Sequence, residues 1–150
     1  MMHASGKDFI KDFAKRTIHN YNIVSRGPYE VTQLINSAIG LLIIPEQKYY
    51  NQITDNIISA ELLQKLQTCI KINTYSENFS LQMIARHVRN SIAHGKLEFV
   101  AEQQPMKNTP LMIHSVTFTD EYRGKKIEIE MTIKLLEEFF FAFATAASEL

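Results

Sequence analysis

The sequence predicts a mainly helical, all-α class: an up-and-down bundle of four to five helices with a small β-hairpin before the last helix. Three observations point there. Apolar residues recur at helical spacing through most of the chain. The connections between these stretches are short. Strict apolar/polar alternation occurs in two neighbouring runs with a glycine between them. The 150 residues make one domain's worth, read as a single unit over 1–150. At this length folding buries roughly 70% of the surface of the extended chain, enough for a real core.

Phe9, Phe13 and Tyr21, flanked by Ile10, Thr17 and Ile18, follow a helical period, with Ser5 as cap and Lys7, Lys11 and Lys15 on another face. Arg26-Gly27-Pro28 breaks this helix. A second helix runs through "YEVTQLINSAIGLLII", apolar on most sides, and Pro45 stops it. "EQKYYNQI" fits a short helix or a loop. From Asp55 to Ile72 the stripe Ile58, Leu62, Leu66, Cys69 and Ile70 predicts a third helix. "NTYSEN" signals a turn, and Ser76 or Asn78 is expected to cap a fourth helix ending at His94. Gly95 stops it, because glycine enters the left-handed conformation without steric cost. "EQQPMKNTP" reads as a loop. "MIHSVTFTD" and "KKIEIEMTI", joined by "EYRG", read as the hairpin. The last helix, "IKLLEEFFFAFATAASEL", carries Phe139, Phe140, Phe141 and Phe143 on more than one face, so one side is expected to meet a second subunit. The core seam would join helices two to five.

Composition removes several function classes. Sixteen basic side chains balance sixteen acidic ones, so any nucleic-acid contact must be a local patch. The single cysteine, Cys69, excludes an intrachain disulfide, suits a reducing compartment and reads as a small buried thiol. The start has no signal-peptide core, and the longest apolar run, Ala38 to Ile44, is too short to span a bilayer. A cytoplasmic protein without membrane contact is expected. His3, His19, His87, His94 and His114 are scattered, with no His-x3-His or Cys-x2-Cys pair, so no metal is expected. Gly40 and Gly124 stand alone and form no phosphate or dinucleotide loop, so no cofactor is expected either. Glu137 and Glu138 are helix neighbours that do not face each other and read as a solvated patch.

One stretch stands apart: "ARHVRNSIAHGK", Ala85 to Lys96. On a helix Leu81, Ala85, Val88 and Ile92 form a stripe that must face the core. Arg86, Asn90 and His94 stack on another stripe, with His87 and Ser91 beside them and Arg89 at the edge. Arg89 and His94 are about 140° apart and do not meet within one regular helix. Either the helix loosens at His94, or a second copy packs alongside and two Arg89/His94 pairs converge. No acid lies between Asn78 and Lys96, so Arg86, Arg89, His94 and Lys96 make a local positive surface suited to a phosphate-bearing ligand. The plainer reading is a solvated helix back whose last-turn histidine favours the helix dipole. Ser91 reads as a small packing residue rather than a nucleophile.

"RNSIAHG", Arg89 to Gly95, resembles the signature of the HEPN superfamily, the higher eukaryote and prokaryote nucleotide-binding domains: an arginine with a polar residue after it, four to six residues, then a histidine. "PYEVTQLINSAIGLLIIPEQ", "VRNSIAHGKLEF", the strand pair and the apolar last helix are similar to a plasmid- and genome-encoded prokaryotic branch, from about Tyr29 to Leu150. The resemblance implies a metal-independent endoribonuclease that dimerises through the helix ending at His94, with Arg89 and His94 as the catalytic pair and Asn90 in support. Arg86, His87 and Lys96 are expected as outer RNA contacts. Lys96 stands where one toxin branch carries a tyrosine modified by its antitoxin, so that mode of control is not carried over. A defence or toxin role with an unidentified antitoxin or regulator is part of the same resemblance. The alternative is a non-catalytic dimeric module that binds RNA or a partner protein.

Overall fold

The structure, a computed structural model, describes residues 6–23, 33–37, 40, 58–101 and 113–148. Its elements are α1 (Gly6–Ile23), α2 (Ala60–Thr68), β1 (Ile70–Asn73), α3 (Leu81–Ala93), β2 (Leu97–Ala101), β3 (Ile113–Tyr122), β4 (Lys125–Thr132) and α4 (Ile133–Ser148), with residues 33–37 and Gly40 also helical. The expected cap at Ser5, the break at 26–28, "EQKYYNQI" and "EQQPMKNTP" lie outside the described residues.

The all-α expectation is overturned. The four strands form one antiparallel sheet in the order β1-β4-β3-β2, and the molecule is mixed α/β. The hairpin is present: β3 and β4 pair from Ser115↔Thr132 to Tyr122↔Lys125 around a turn with Arg123 and Gly124 at positive φ. A two-stranded hairpin alone is marginal and leaves both edges unpaired. Here β1 pairs with β4 and β2 with β3, covering both edges.

The third helix accordingly differs from the expected span. Ser59 caps it, its Oγ accepting from the Leu62 N–H at 3.1 Å, and it ends at Thr68. Ile70 and Ile72 continue the apolar pattern, but they pair with β4 rather than extend the helix. Cys69 sits at the junction. Its thiol donates to the Leu66 carbonyl at 2.8 Å, and burial pushes its pKa up to about 11, which leaves it a poor nucleophile.

The alternation of the hairpin decides what is buried. Val116 and Phe118 on β3 and Ile127, Ile129 and Met131 on β4 share one face through the pairs Val116↔Met131, Phe118↔Ile129 and Asp120↔Ile127. Leu81, Ile84, Ala85 and Val88 of α3 join them in a single core cluster with Leu136, Phe139, Phe143 and Ala147 of α4. The seam is therefore helix against sheet, not helix against helix throughout. Of the expected α3 stripe, Leu81, Ala85 and Val88 are buried and Ile92 is half-buried.

Much of the wide apolar surface of α4 is covered within the chain, with Phe141 left half-buried. Phe139, Phe140 and Phe143 are buried, and α1 packs along α4. Tyr21 of α1 lies against Phe140 and Phe141 with ring centroids 5.4 and 5.5 Å away, and its hydroxyl donates to Glu137 Oε2 at 2.9 Å. Glu137 is thus an acceptor for a buried tyrosine rather than part of a solvated patch. Gly40 lies against Phe13, whose ring a Cβ there would meet at 3.1 Å. Among the described residues no helix is long and apolar enough to cross a membrane.

Because Phe139 is almost fully buried between these layers, Phe139→Ala is expected to destabilise the protein by about 3–5 kcal/mol, measured by urea denaturation. A loss below about 1 kcal/mol would mean that α4 is not packed as described.

Candidate functional site

Helix α3 begins at Ser80, not at Ser76 or Asn78. The Ser80 Oγ accepts from the Met83 N–H at 3.1 Å. The reason lies in Glu77, whose carboxylate pairs with Arg86 in the middle of α3. A helix running through both residues would separate them by about 13 Å along its axis. The segment instead folds back beside α3 and brings Glu77 to it.

The far end of α3 is a complete Schellman closure. The His94 N–H bonds the Asn90 carbonyl at 3.0 Å, Gly95 N–H the Ile92 carbonyl at 3.1 Å and Lys96 N–H the Ser91 carbonyl at 2.9 Å. Gly95 makes this possible with φ +66°. Ser91 then ties the closure to the sheet. Its Oγ donates to the Lys96 carbonyl at 2.6 Å and accepts from the Thr119 N–H of β3 at 3.1 Å. Ser91 is fully buried, so it packs as expected, but its hydroxyl also clamps the helix end to β3.

Between these ends lies a buried polar cluster. Asp120 occupies the inward phase of β3 after Val116 and Phe118 and is only 5% exposed. Its Oδ2 accepts from His87 Nδ1 at 2.7 Å and from Asn90 Nδ2 at 3.1 Å. A carboxylate only accepts, so in the neutral ring it is Nδ1 of His87 that carries the proton. Its Nε2 is then without a proton, lies 3.4 Å from Glu77 Oε1 and makes no hydrogen bond. Tyr75 covers the imidazole with ring centroids 4.6 Å apart. Burial holds the His87 pKa below its ordinary value, against the opposing pull of Asp120, and Arg86 adds to the lowering.

The expected site residues therefore separate. His87 is 2% exposed and turned to Asp120 on β3, so it cannot serve as an outer RNA contact. Arg86 is half-buried and already paired with Glu77. Asn90 is half-buried and committed to Asp120. Arg89 is half-exposed, on the outward stripe with Gln82, Arg86 and Ala93, while His94 and Lys96 are exposed at the helix end. Arg89 and His94 stand about 140° apart around the axis, with no loosening of α3 before His94 to bring them together. Sequence reasoning missed Asp120 and Glu77. One signal was available for Asp120: an acid in phase with Val116 and Phe118 interrupts an inward apolar stripe.

A family model described as HEPN pEK499 p136 matches residues 1–149. The chain belongs to this HEPN family. The motif from Arg89 to His94 thus sits inside a HEPN chain, at the sheet-anchored end of α3. Among curated proteins and solved structures, none matches this HEPN chain.

Two outcomes test this geometry. A Cβ at residue 95 meets no atom within 4 Å, so Gly95→Ala is expected to destabilise by about 1–2 kcal/mol through the left-handed backbone alone, seen as a lower urea midpoint. An unchanged midpoint would mean the turn does not hold this conformation. The second concerns pH. His87 has a folded pKa below its ordinary 6.5, so the unfolded chain binds more protons once pH falls under about 6.5. The stability from keeping it neutral is complete above about pH 6.5 and is lost as pH falls toward the folded value. Urea titrations should show a steeper acid loss in wild type than in His87→Asn; equal slopes would contradict it.

Proposed function

We propose that this HEPN chain is a metal-independent endoribonuclease whose reacting groups, Arg89 and His94, meet the same groups of a second copy in a shared cleft. The observation that carries this reading is the half-exposed Arg89 and the exposed His94 on the anchored end of α3, in a chain matched to a HEPN family model over residues 1–149. The pair diverges within one chain, and two α3 helices side by side would place both pairs along one groove. RNA, not DNA, is the substrate class, because the reaction uses the 2′-hydroxyl.

The chemistry follows from the groups. Histidine exchanges protons near neutral pH. One His94 takes the proton from the 2′-hydroxyl, and O2′ forms a bond to phosphorus. The bond from phosphorus to the 5′-oxygen breaks, and His94 of the second copy protonates that oxygen. Arg89 holds the phosphate oxygens as charge grows on them. The products are a 2′,3′-cyclic phosphate and a 5′-hydroxyl. Lys96, exposed beside His94, supplies positive charge for the strand. An antitoxin or other regulator in a defence setting remains part of this proposal through the family alone.

His94 makes its cap bonds through the backbone, so His94→Ala should keep the fold. With labelled RNA in EDTA, wild type is expected to release cyclic-phosphate ends and His94→Ala to be slower by at least about 100-fold. Equal rates would remove His94 from the chemistry. Salt-dependent RNA binding with intact RNA would instead favour the non-catalytic module. Cleavage by a species that sediments only as a monomer would overturn the composite site.

A further inference from the structure

The turn between β3 and β4 holds an arginine where its backbone favours glycine or asparagine. Arg123 and Gly124 are its two central residues, at φ +50° and +79°, the pattern of a type I′ turn. A bulkier side chain enters this left-handed region at a cost. Arg123 nevertheless stands at the first position, and its guanidinium lies over the ring of Tyr122, 5.1 Å from the centroid. Tyr122 is 61% exposed, the most open large apolar side chain among the described residues.

The pleat sorts the groups at this tip. Tyr122 follows Val116, Phe118 and Asp120 in the phase that faces α3, and its cross-strand partner Lys125 is in phase with Ile127, Ile129 and Met131. Tyr122 and Lys125 therefore share the helix-bearing side of the sheet. The acid of the tip, Glu121, pairs with Lys126 in the opposite phase. Arg123 and Lys125 are left as excess positive charge beside an open ring. The tip also lies close to the motif helix. Asp120, whose carboxylate holds Asn90 at 3.1 Å, precedes Tyr122 by two residues, about 7 Å of strand. Asn90 is the neighbour of Arg89 in the chain.

We propose that Tyr122 and Arg123, with Lys125 beside them, form a subsite for single-stranded RNA: a nucleobase stacks on the ring and guanidinium, and Lys125 meets a neighbouring phosphate. Every base offers a π-face, so such a platform binds without demanding a sequence, and an unpaired strand is the form that can reach it. An open ring alone would suit a protein partner equally; the two unbalanced cations beside it favour a polyanion. An arginine kept over the tyrosine in a left-handed turn fits a place where its plane is used. The inference rests on RNA as the ligand class of the proposed function, and not on His94 as the proton-transfer group.

The experiment is fluorescence anisotropy with a short labelled RNA, fully 2′-O-methylated so that it lacks the attacking hydroxyl and stays intact. It is run across a salt series on wild type, Tyr122→Leu, Tyr122→Phe and Arg123→Gly. Tyr122→Leu is expected to raise Kd by about 5- to 100-fold, and Tyr122→Phe to stay within about threefold of wild type. Arg123→Gly should weaken binding by at least about fivefold and flatten the slope of log Kd against log salt by about 0.7. Its urea midpoint should stay at or above that of wild type, because glycine suits the turn. With unmodified RNA, Tyr122→Leu should raise KM and leave kcat within about threefold. An unchanged Kd in folded Tyr122→Leu and Arg123→Gly overturns the inference and leaves the proposed reaction standing. An unchanged Kd with a shifted oligomeric state in Tyr122→Leu makes the tip a protein contact and also ends it. Binding that depends on Tyr122 in a protein that cuts no RNA upholds the subsite and removes the reaction. A wild type without RNA affinity overturns the ligand class and the subsite with it.

Discussion

The buried carboxylate of Asp120 is the constraint on which the rest of the site depends. A charge on the inner face of a sheet must be hydrogen-bonded, and α3 supplies both donors, His87 and Asn90. Two donors three residues apart, held by one oxygen, leave α3 no freedom to rotate about its axis. Once that rotation is set, so is the outward stripe: Gln82, Arg86, Arg89 and Ala93. The half-exposed position of Arg89 thus follows from a contact on another side of its helix.

A second clamp sets the position of α3 along its axis. Ser91 Oγ joins the Lys96 carbonyl to the Thr119 N–H, and the Schellman turn at Gly95 sends the chain directly into β2 beside β3. His94 stands at the last point before this reversal, its backbone held and its side chain in solvent. Two histidines seven residues apart therefore have opposite parts. His87 is buried, held neutral by desolvation, and braces the helix. His94 is exposed at the end of the helix. A polar network between α3 and the sheet thus holds the helix that carries Arg89 and ends at His94.

Much of this is legible in the sequence alone. Periodicity placed α1, α3 and α4, alternation placed the hairpin, and the run "RNSIAHG" placed the motif at a helix end closed by glycine. The class was not legible, because "IKIN" and "LEFVA" carry little strand signal of their own; they are strands because β4 and β3 had open edges to pair. The width of the Phe139–Phe143 surface suggested a second subunit; within the chain α1 packs against Phe140 and Phe141, and Phe141 stays half-buried. The acid-free run from Asn78 to Lys96 was real in sequence but not in space. Glu77, one residue outside it, and Asp120, on a distant strand, both return to α3.

By itself the sequence determined the local preferences: which segments are helical, where α3 must stop, which strands alternate, and which residue types could handle RNA phosphate. These depend on neighbours a few positions apart, and a linear chain displays them directly. Only the tertiary structure decided that the hairpin is the centre of a four-stranded sheet, that His87 is buried while His94 is exposed past the helix end, and that a strand acid holds the motif helix. Those outcomes turn on pairing and desolvation between segments from 12 to 59 positions apart, which no local pattern records.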